Sequence, residues 1–447
     1  MAKISTYVPR PDMSRAEEYA LKLQKMVRYE TVSVAGLDQR EKFLGFHKVL
    51  EELFPLVHSR LEKTELDGNL LYFWEGRQHD KPLLLMSHQD VVPAEGSWQH
   101  EPFSGDIDEK GILWGRGTAD IKAGLFGFLQ AAEEKLAEGF VPEEDIYLAS
   151  SCTEEVGGDG APKIVEELKR RGVKIHLLCD EGGAIITDPM AGAKGNFAML
   201  GVFEKGQGNV KFIAKSPGGH SSTPGKNLPI DRLAAFVNDV KTHDPMRSEM
   251  SEYVKLMFKT LGPYCEGPLG FVMKNCSLFA PLIKKIVPSV SPAAAAMFKT
   301  TIAFTRMEGS GANNVIPAEA WVIANIRFIP HQGVDEALAV LKKLADEYEL
   351  EMEVLDAENA TEPVDINGEA WKKVTSAVER VFPGLPHSPY VVVGGTDARF
   401  YRDIAETSVR FSPVIFGPAQ MSGMHGIDEC VDIRCLPGCV DYYKELM

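Results

Sequence analysis

The chain has 447 residues, of which 44% are hydrophobic and 25% are charged, as in a folded globular protein. This length exceeds what one ordinary core accommodates, so we expect two domains. The formal net charge of −16 argues against nucleic acid as a partner, and the lack of an apolar run near the roughly 20 residues of a spanning helix argues against a membrane partner.

The first part of the chain alternates helical and strand patterns, which predicts an α/β layer structure. Helical spacing covers residues 14–29, 41–54, 120–138 and 160–171, and strand patterns cover 70–74, 82–87, 145–151 and 175–179. Several histidine and carboxylate side chains directly follow these strands. Open α/β sheets bind ligands beyond the carboxyl ends of their strands, so this placement predicts a site at that edge.

After residue 197 a second set of elements begins, with strand patterns at 198–204, 208–216, 300–306 and 320–329 and helical patterns at 228–242 and 334–348. We interpret it as a smaller α/β domain, residues 198–356, inserted into a catalytic domain formed by residues 1–197 and 357–447. Between the two halves of the insertion, residues 243–299 show no clear period and predict a largely helical or irregular excursion.

The last part of the chain indicates a return to the first domain. A helical pattern covers residues 368–382, and an apolar run at 390–393 precedes the motifs GGTDARFY and MHGIDE.

The cysteines and the amino terminus predict a cytoplasmic protein. Seven cysteines show no dense spacing of the kind found in disulfide frameworks, and residues 1–10 contain no apolar stretch typical of a secretory signal. Cys430, Cys435 and Cys439 lie close enough in sequence to suggest a zinc site. Their spacing fits no common zinc finger, so structural or free thiols are favoured.

Two clusters near the first strands have the composition of a metal site. His88 and Asp90 follow a strand at positions i and i+2, so an extended backbone points them to the same side. Asp120 lies among glycines that allow a close backbone approach. Taken singly, a histidine beside a strand is more often structural, and an isolated aspartate at this place is more often a helix cap.

Paired carboxylates after two apolar strands strengthen this interpretation. Glu154 and Glu155 repel each other unless a cation or a proton relieves the repulsion, although a solvated loop is an alternative. Asp180 and Glu181 repeat the arrangement after the next strand, and His425 adds an imidazole far along the chain. Together the clusters predict a two-metal hydrolase centre.

A set of motifs, in order, resembles a known family: SHQDVVP, GRGTADIKAG, TEEVGG, DEGG, GGHSSTP, NNVIP, GGTDARF and MHGIDE. They are similar to those of the co-catalytic zinc metallopeptidases that include glutamate carboxypeptidase, aminoacylase and succinyl-diaminopimelate desuccinylase. The resemblance covers nearly the whole chain. SHQDVVP, DEGG and the segment containing Trp98, Pro102, Phe103, Ser104 and Gly105 are most similar to the Gly-Xaa carboxypeptidase and N-acyl-amino-acid hydrolase branch.

The resemblance implies a catalytic domain with a mixed sheet flanked by helices, and an inserted α/β domain that serves as a lid or dimerisation domain. It also implies two divalent metal ions, Zn²⁺ with Co²⁺ or Mn²⁺ as alternatives. His88, Asp120 and Asp180 would hold one ion, and Asp120, Glu155 and His425 the other. Glu181, beside Asp180, is the alternative ligand at that position.

Further roles follow from the same resemblance. Glu154 would be the general base, and Asp90 would orient His88. His220 of the inserted domain would stabilise the oxyanion, in some relatives across a homodimer. Asn314 and Arg399 would contact the substrate, since arginine binds a free carboxylate well. Arg327, in NIRFIP, is a further candidate outside the matched motifs.

We therefore expect a two-zinc metallohydrolase that cleaves a peptide or amide bond next to an amino acid with a free carboxylate, as in a Gly-Xaa or short peptide. The alternative is a deacylase of N-acyl amino acids or N-succinyl amines with the same machinery. A fatty acyl group would need an apolar channel, and residues 243–299 are one place for it. A catalytically inactive binding relative is a remote third interpretation, because every matching ligand position is filled.

Overall fold

The computed structural model describes residues 5, 7–9, 11–190, 192–290 and 292–447. Residues 1–4, 6 and 10, which belong to the segment predicted to carry no secretory signal, lie outside the described residues. The structure confirms the predicted α/β class, since helices flank a large mixed sheet.

The helices are α1 Met13–Arg28, α2 Arg40–Leu53, α3 Pro55–Arg60, α4 Ala123–Ala137, α5 Gly160–Arg170, α6 Pro229–His243, α7 Glu252–Leu261, α8 Gly267–Lys274, α9 Ala280–Val290, α10 Pro292–Ala296, α11 Val334–Glu347, α12 Glu369–Val381, α13 Pro418–Gly423 and α14 Leu436–Leu446. The strands are β1 Glu62–Leu66, β2 Asn69–Trp74, β3 Gln78–Met86, β4 Ile112–Trp114, β5 Glu144–Ser150, β6 Ile175–Asp180, β7 Ala184–Thr187, β8 Asn196–Glu204, β9 Gly206–Lys215, β10 Gly219–His220, β11 Thr301–Glu308, β12 Val315–Ile316, β13 Glu319–Phe328, β14 Glu351–Glu358, β15 His387–Val392, β16 Ala405–Arg410, β17 Ile415–Phe416 and β18 Cys430–Asp432.

The large sheet has ten strands in the order β1-β2-β5-β3-β6-β16-β8-β7-β17, with β15 paired to β8. Its centre is parallel, because β3 runs parallel to β5 and β6, and β16 runs parallel to β6. The β1–β2, β2–β5 and β7–β8 pairs are antiparallel. The carboxyl ends of β5, β3 and β6 therefore meet at one edge.

Successive residues of the central strands face opposite sides of the sheet, as extended chains require. Leu83 and Leu85 of β3 pack into a core with α1, α4, α12 and α14. Leu84 and Met86 pack on the other side with α5. Burial on both faces explains why this strand is a continuous apolar run in the sequence.

A smaller antiparallel sheet of four strands, β11-β13-β9-β14, has its own core. Phe212 of β9 and Val322 of β13 pack there against Phe236 of α6 and Leu341 of α11. This separate core is what an inserted α/β domain requires, while the boundaries at residues 198 and 356 stay a prediction.

Residues 243–299 form helices α7 to α10, but most of their buried side chains do not join the smaller core. Val254 and Phe258 of α7, Met273 of α8 and Ile283 of α9 are buried in the core of the large sheet, and α7 packs beside β15. The excursion is therefore helical and rests on the larger layer.

All seven cysteines are buried and free of disulfides, including Cys430, Cys435 and Cys439. Burial raises the pKa of Cys435 to about 12. In the described ranges, no helix combines the length and apolarity needed to cross a bilayer.

Candidate metal centre

Most of the predicted site residues come together at the carboxyl ends of three neighbouring parallel strands. His88 follows β3, Glu154 and Glu155 follow β5, and Glu181 follows β6. Asp120 arrives from the turn before α4, and His425 from the loop after α13. The site is therefore built where open α/β sheets place their ligands.

His88 is 3% exposed and is held by hydrogen bonds at both ring nitrogens. Its Nδ1 donates to the backbone oxygen of Asp90 at 2.9 Å, and the Asp90 Oδ1 atom is 3.5 Å away. The Nε2 atom lies 3.2 Å from Asp120 Oδ1. The bond at Nδ1 leaves Nε2 facing the carboxylate cluster.

The Asp90 carboxylate mainly shapes the loop after β5. Its Oδ1 accepts from the backbone N–H of Glu154 at 3.2 Å, and its Oδ2 accepts from that of Glu155 at 3.1 Å. Ser33 Oγ also donates to Oδ2, at 2.7 Å. Asp90 was predicted to orient His88, and here its carbonyl contacts the imidazole while its side chain positions the two glutamates.

Asp120 lies at the centre of the cluster, between two histidines. Its Oδ2 atom is 3.0 Å from His425 Nε2, and the same nitrogen is 3.0 Å from Glu155 Oε2. His88, Asp120 and Glu155 each offer a ligand atom, and these atoms lie within 4.8 Å of one another. Burial opposes ionisation of Asp120, but hydrogen bonds from His425 and His88 outweigh it and lower the pKa of this carboxyl.

The adjacent acids Asp180 and Glu181 face different surroundings. Asp180 is 4% exposed, and its two oxygens accept from the backbone N–H groups of Glu181 at 2.8 Å and Ala398 at 2.9 Å. The Glu181 carboxyl is close enough to Asp120 and His88 to interact with their charges. Burial, then Asp120, raises the pKa of Glu181 well above its usual value.

Glu154 lies beside the cluster, and among the described residues it forms no ion pair with either histidine. Burial raises its pKa to about 9, with the charge of His88 opposing the shift and Asp397 adding to it. A concentration of buried carboxyl groups of this kind calls for positive charge, which a divalent ion supplies. Imidazole nitrogens and carboxylate oxygens are also the ligands that Zn²⁺ binds, so the residues fit a metal centre.

Glu429 is a fully buried acid that the sequence reasoning missed. Its Oε1 atom accepts from the backbone N–H groups of Ala119 at 2.8 Å and Asp120 at 3.0 Å. Its Oε2 atom accepts from Gly117 N at 3.0 Å and from Arg116 Nη1 at 2.6 Å. The Arg116 side chain also donates to the Gly426 carbonyl at 2.7 Å, so this pair joins the Asp120 turn to the His425 loop.

A second buried network was also missed by the sequence reasoning. Glu204 and Arg410 form an ion pair at 2.7 Å, with side chains 1% and 0% exposed. Glu204 also accepts from the backbone and the hydroxyl of Thr396 at 2.7 and 2.8 Å. Asp397 is hydrogen-bonded to Ser151, and burial raises its pKa to about 7. Two sequence signals could have found these acids. Glu429 is the final residue of the motif MHGIDE, and Asp397 is the aspartate of the motif GGTDARF.

His220 and Asn314 lie together on a separate pair of short strands. His220 is in β10, which pairs with β12, and Ser221 N donates to the Asn314 carbonyl at 3.0 Å. The His220 ring is exposed, with Nδ1 2.7 Å from Ser222 Oγ. Among the described residues, no hydrogen bond joins His220 to a predicted metal ligand.

Arg327 and Arg399 lie near each other, between the two layers. Arg327, on β13, donates to Gln207 Oε1 at 3.0 Å, and Arg399 donates to the Thr396 carbonyl at 3.0 Å. Burial, and then the charge of Arg399, lowers the pKa of Arg327. Two nearby guanidinium groups can receive an anionic group.

The sheet order, together with histidines and carboxylates at the ends of its parallel strands, defines a metallohydrolase. The sequence matches the profile of Peptidase family M20/M25/M40 over residues 84–447, and the chain belongs to this family. This match confirms the family expected from the motifs and identifies a hydrolytic metallopeptidase.

Related sequences match this protein along nearly its whole length. The protein is 31% identical over 444 residues to "Probable carboxypeptidase S-like 2" of Dictyostelium discoideum, covering 96% of this chain and 84% of that protein. It is also 31% identical over 436 residues to "N-fatty-acyl-amino acid synthase/hydrolase PM20D1" of Xenopus tropicalis, covering 95% and 84%. The M20 family metallo-carboxypeptidase Sso-CP2 from Sulfolobus solfataricus has the same fold, with a TM-score of 0.69 and 18% identity, covering 96% of this chain and 98% of that one.

Proposed function

We propose that the protein is a two-metal carboxypeptidase-type hydrolase that cleaves the bond next to an amino acid with a free carboxylate. The observation that carries this proposal is the position of Asp120. Its two carboxylate oxygens face histidines from separate segments, at 3.2 Å for His88 and 3.0 Å for His425. A carboxylate with a histidine on each oxygen is suited to bridge two cations.

One metal ion would be held by His88, Asp120 and Glu181, and the other by Asp120, Glu155 and His425. Glu181 replaces Asp180 in this proposal because both Asp180 oxygens already accept backbone hydrogen bonds. Zn²⁺ is the proposed ion, with Co²⁺ or Mn²⁺ as substitutes. When bound, the ions supply positive charge that favours ionisation of the attacking water and polarises the scissile carbonyl.

The proton transfers are assigned to Glu154. It is placed beside the ligand Glu155 by the Asp90 carboxylate, which binds both backbone N–H groups. Glu154 would take a proton from the attacking water and deliver it to the leaving amine. Asp90 acts as a positioning residue in both steps.

Substrate recognition is assigned to the two arginines between the layers. Arg327 and Arg399 would hold the substrate carboxylate, with Asn314 as a further contact. His220 would donate to the oxyanion after a change in the relative position of the layers, or from the partner in a homodimer. Such a site accepts a Gly-Xaa dipeptide or another short peptide.

A second candidate is hydrolysis of N-acyl amino acids. It is favoured by the relatives named N-fatty-acyl-amino acid synthase/hydrolase, which are about as similar to this chain as the carboxypeptidase S-like relatives. The reacting bond and the free carboxylate are the same in both substrate classes. Only the group on the acyl side differs.

The test compares kcat/KM of the zinc-loaded enzyme for Gly-Xaa dipeptides, acetyl, succinyl and long-chain acyl amino acids, each paired with its carboxamide. We expect the highest value for Gly-Xaa and a loss of about 10²-fold or more for every carboxamide, because a neutral amide does not pair with two guanidinium groups. A preference for long-chain acyl substrates would support the second candidate. Equal rates on acids and carboxamides would refute both.

The Glu154→Gln variant tests the assignment of the general base. We expect it to keep its metal content and lose about 10²-fold to 10⁴-fold in kcat, because glutamine cannot accept the proton. Metal content is measured by atomic emission on the same sample. Near-normal kcat in the metal-loaded variant would show that another group moves the proton.

A further inference from the structure

Helices α8 and α9 expose a concentration of large apolar side chains. Leu269, Phe271, Leu278 and Leu282 are 41%, 61%, 76% and 51% exposed. Leu278 lies in the turn between the two helices, and Leu282 lies in the first turn of α9. The rings of Phe271 and Phe279 meet edge to face with centroids 5.9 Å apart, which brings the two helices together. We call these four side chains the apolar patch.

The apolar patch is the outer side of two anchored helices. Met273 of α8 and Ile283 of α9 are 2% and 5% exposed and point into the large core, as does Cys276 at 0% between them. The helices therefore do not need the patch residues for their own packing. A group of apolar side chains that is exposed outside a packed core marks a surface that binds another apolar surface.

The segment that carries the patch has a charge opposite to that of the whole protein. Residues 267–307 contain no aspartate or glutamate, although the chain has a net charge of −16. Lys274 and Lys285 are exposed and Lys284 is half-buried. Within the described part of the chain, none of these three ammonium groups is paired with a carboxylate. The patch is thus bordered by free positive charge.

We propose that the apolar patch and its three lysines dock the protein on an anionic lipid surface. Side chains such as phenylalanine and leucine enter the interfacial layer of a bilayer, while neighbouring lysines contact acidic headgroups. The predicted lack of a membrane partner rested on the absence of a spanning segment, and peripheral docking needs none. The proposal is independent of the substrate assigned above.

A second copy of the chain fits the patch less well. A twofold contact places the same surface on both sides, so Lys274, Lys284 and Lys285 would face their own copies. Like charges at such a contact oppose association. An anionic bilayer has no such conflict.

The test measures binding of the full-length protein to vesicles of phosphatidylcholine with and without phosphatidylglycerol. We expect binding to the anionic vesicles that weakens with added salt, since headgroup attraction is screened. The Phe271→Ser/Leu278→Ser variant should lower the partition coefficient about tenfold or more, and Lys274→Glu/Lys285→Glu should abolish the preference for anionic vesicles.

The matched control is Val354→Ser/Leu355→Ser, which changes two apolar residues of β14 that are 44% and 46% exposed. It should bind vesicles like the unchanged protein. Thermal unfolding checks that each variant is folded. If the Phe271→Ser/Leu278→Ser variant does not fold, the Lys274→Glu/Lys285→Glu variant still tests the proposal. Equal vesicle binding by all variants would overturn the proposal, as would a dimer in sedimentation that the apolar variant alone dissociates.

Discussion

At the scale of single residues, buried acids hold the backbone of the residues proposed as metal ligands. Asp90 holds the backbone of Glu154 and Glu155, and Glu429 holds the backbone of Asp120. Each uses both carboxylate oxygens on neighbouring N–H groups. Such outer contacts fix ligand orientation, and their loss typically weakens metal binding 10-fold to 100-fold.

The Glu429→Gln variant tests this positioning role. We expect metal affinity to fall by about 10-fold to 100-fold, since the amide leaves the buried Arg116 guanidinium without its anionic partner. Calorimetric titration of the metal-free protein measures the affinity, and kcat at saturating metal should change less. Glu406→Gln, a change at an exposed acid of β16, is the control. Unchanged metal affinity in Glu429→Gln would mean that the turn containing Asp120 keeps its conformation without the Glu429 carboxylate.

The sequence indicated most of the proposed ligands but not the residues that position them. His88, Asp120, Glu155 and His425 were predicted because each lies in a motif with a metal-binding side chain, and the structure brings them close together. Proposing Glu181 instead of Asp180 needed the structure, because the two adjacent acids differ in their hydrogen bonds and not in their sequence motif. Glu429 was overlooked because its partners are backbone groups more than 300 residues away in sequence.

At the scale of elements, strands with two buried faces were the easiest to predict. β5 and β6 agree with their predicted positions within a residue. The helix predicted from residue 120 begins instead at Ala123, because Asp120 has an extended backbone with φ −122° and ψ 87°. Strands β1 and β14 were missed, since their charged side chains hide an alternating pattern.

Helix α2 contains a histidine that makes the fold sensitive to acid. His47 is 2% exposed, and its Nε2 donates to Gln89 Oε1 at 3.1 Å. Its Nδ1 atom is buried without a hydrogen-bond partner among the described residues. Burial, and then the charge of Lys63, lowers the pKa of His47 to about 4. The unfolded chain therefore binds this proton before the folded one does.

Because the pKa of His47 is lower in the folded state, its contribution to stability is lost as the pH falls from about 6.5 to about 4. We expect His47→Asn to lessen the fall in unfolding free energy across that window by up to about 3 kcal/mol. Urea unfolding at several pH values measures it. His220→Asn, at an exposed ring, should follow the unchanged protein. Parallel pH curves for all three proteins would contradict the assignment.

At the scale of the whole molecule, one junction between the two sheets is buried at the end of β8. β8 ends at Glu204 in the large sheet, and β9 begins at Gly206 in the small one. The segment that leads from β14 back to the large sheet contacts this junction, because Thr361 Oγ1 accepts a hydrogen bond from Glu204 N at 2.9 Å. Arg410 binds the Glu204 carboxylate beside them.

His220 lies on β10, the short strand that follows β9 of the small sheet. We expect His220→Ala to lower kcat by about 10²-fold to 10³-fold without changing metal content, because one donor to the oxyanion is lost. Steady-state kinetics and atomic emission on the same preparation measure both quantities. A loss of metal would place His220 at the centre itself.

Mixing two inactive variants tests whether His220 acts across a dimer. In a mixed dimer of Glu154→Gln and His220→Ala, one site would combine an intact Glu154 with an intact His220 from the partner. Recovery of activity on mixing would support the homodimer, whereas no recovery would assign His220 to its own chain.

The seven buried thiols can report local opening of the fold. Burial raises the pKa of Cys179 and Cys435 to about 12, so the reactive thiolate is scarce while the chain is closed. A thiol reagent then modifies these positions at the rate at which the surrounding structure opens. Cys276 lies beneath the apolar patch, Cys179 lies in the central sheet, and Cys435 and Cys439 lie at the start of the last helix. The order in which these thiols are labelled would therefore rank the local stability of three regions without an added probe.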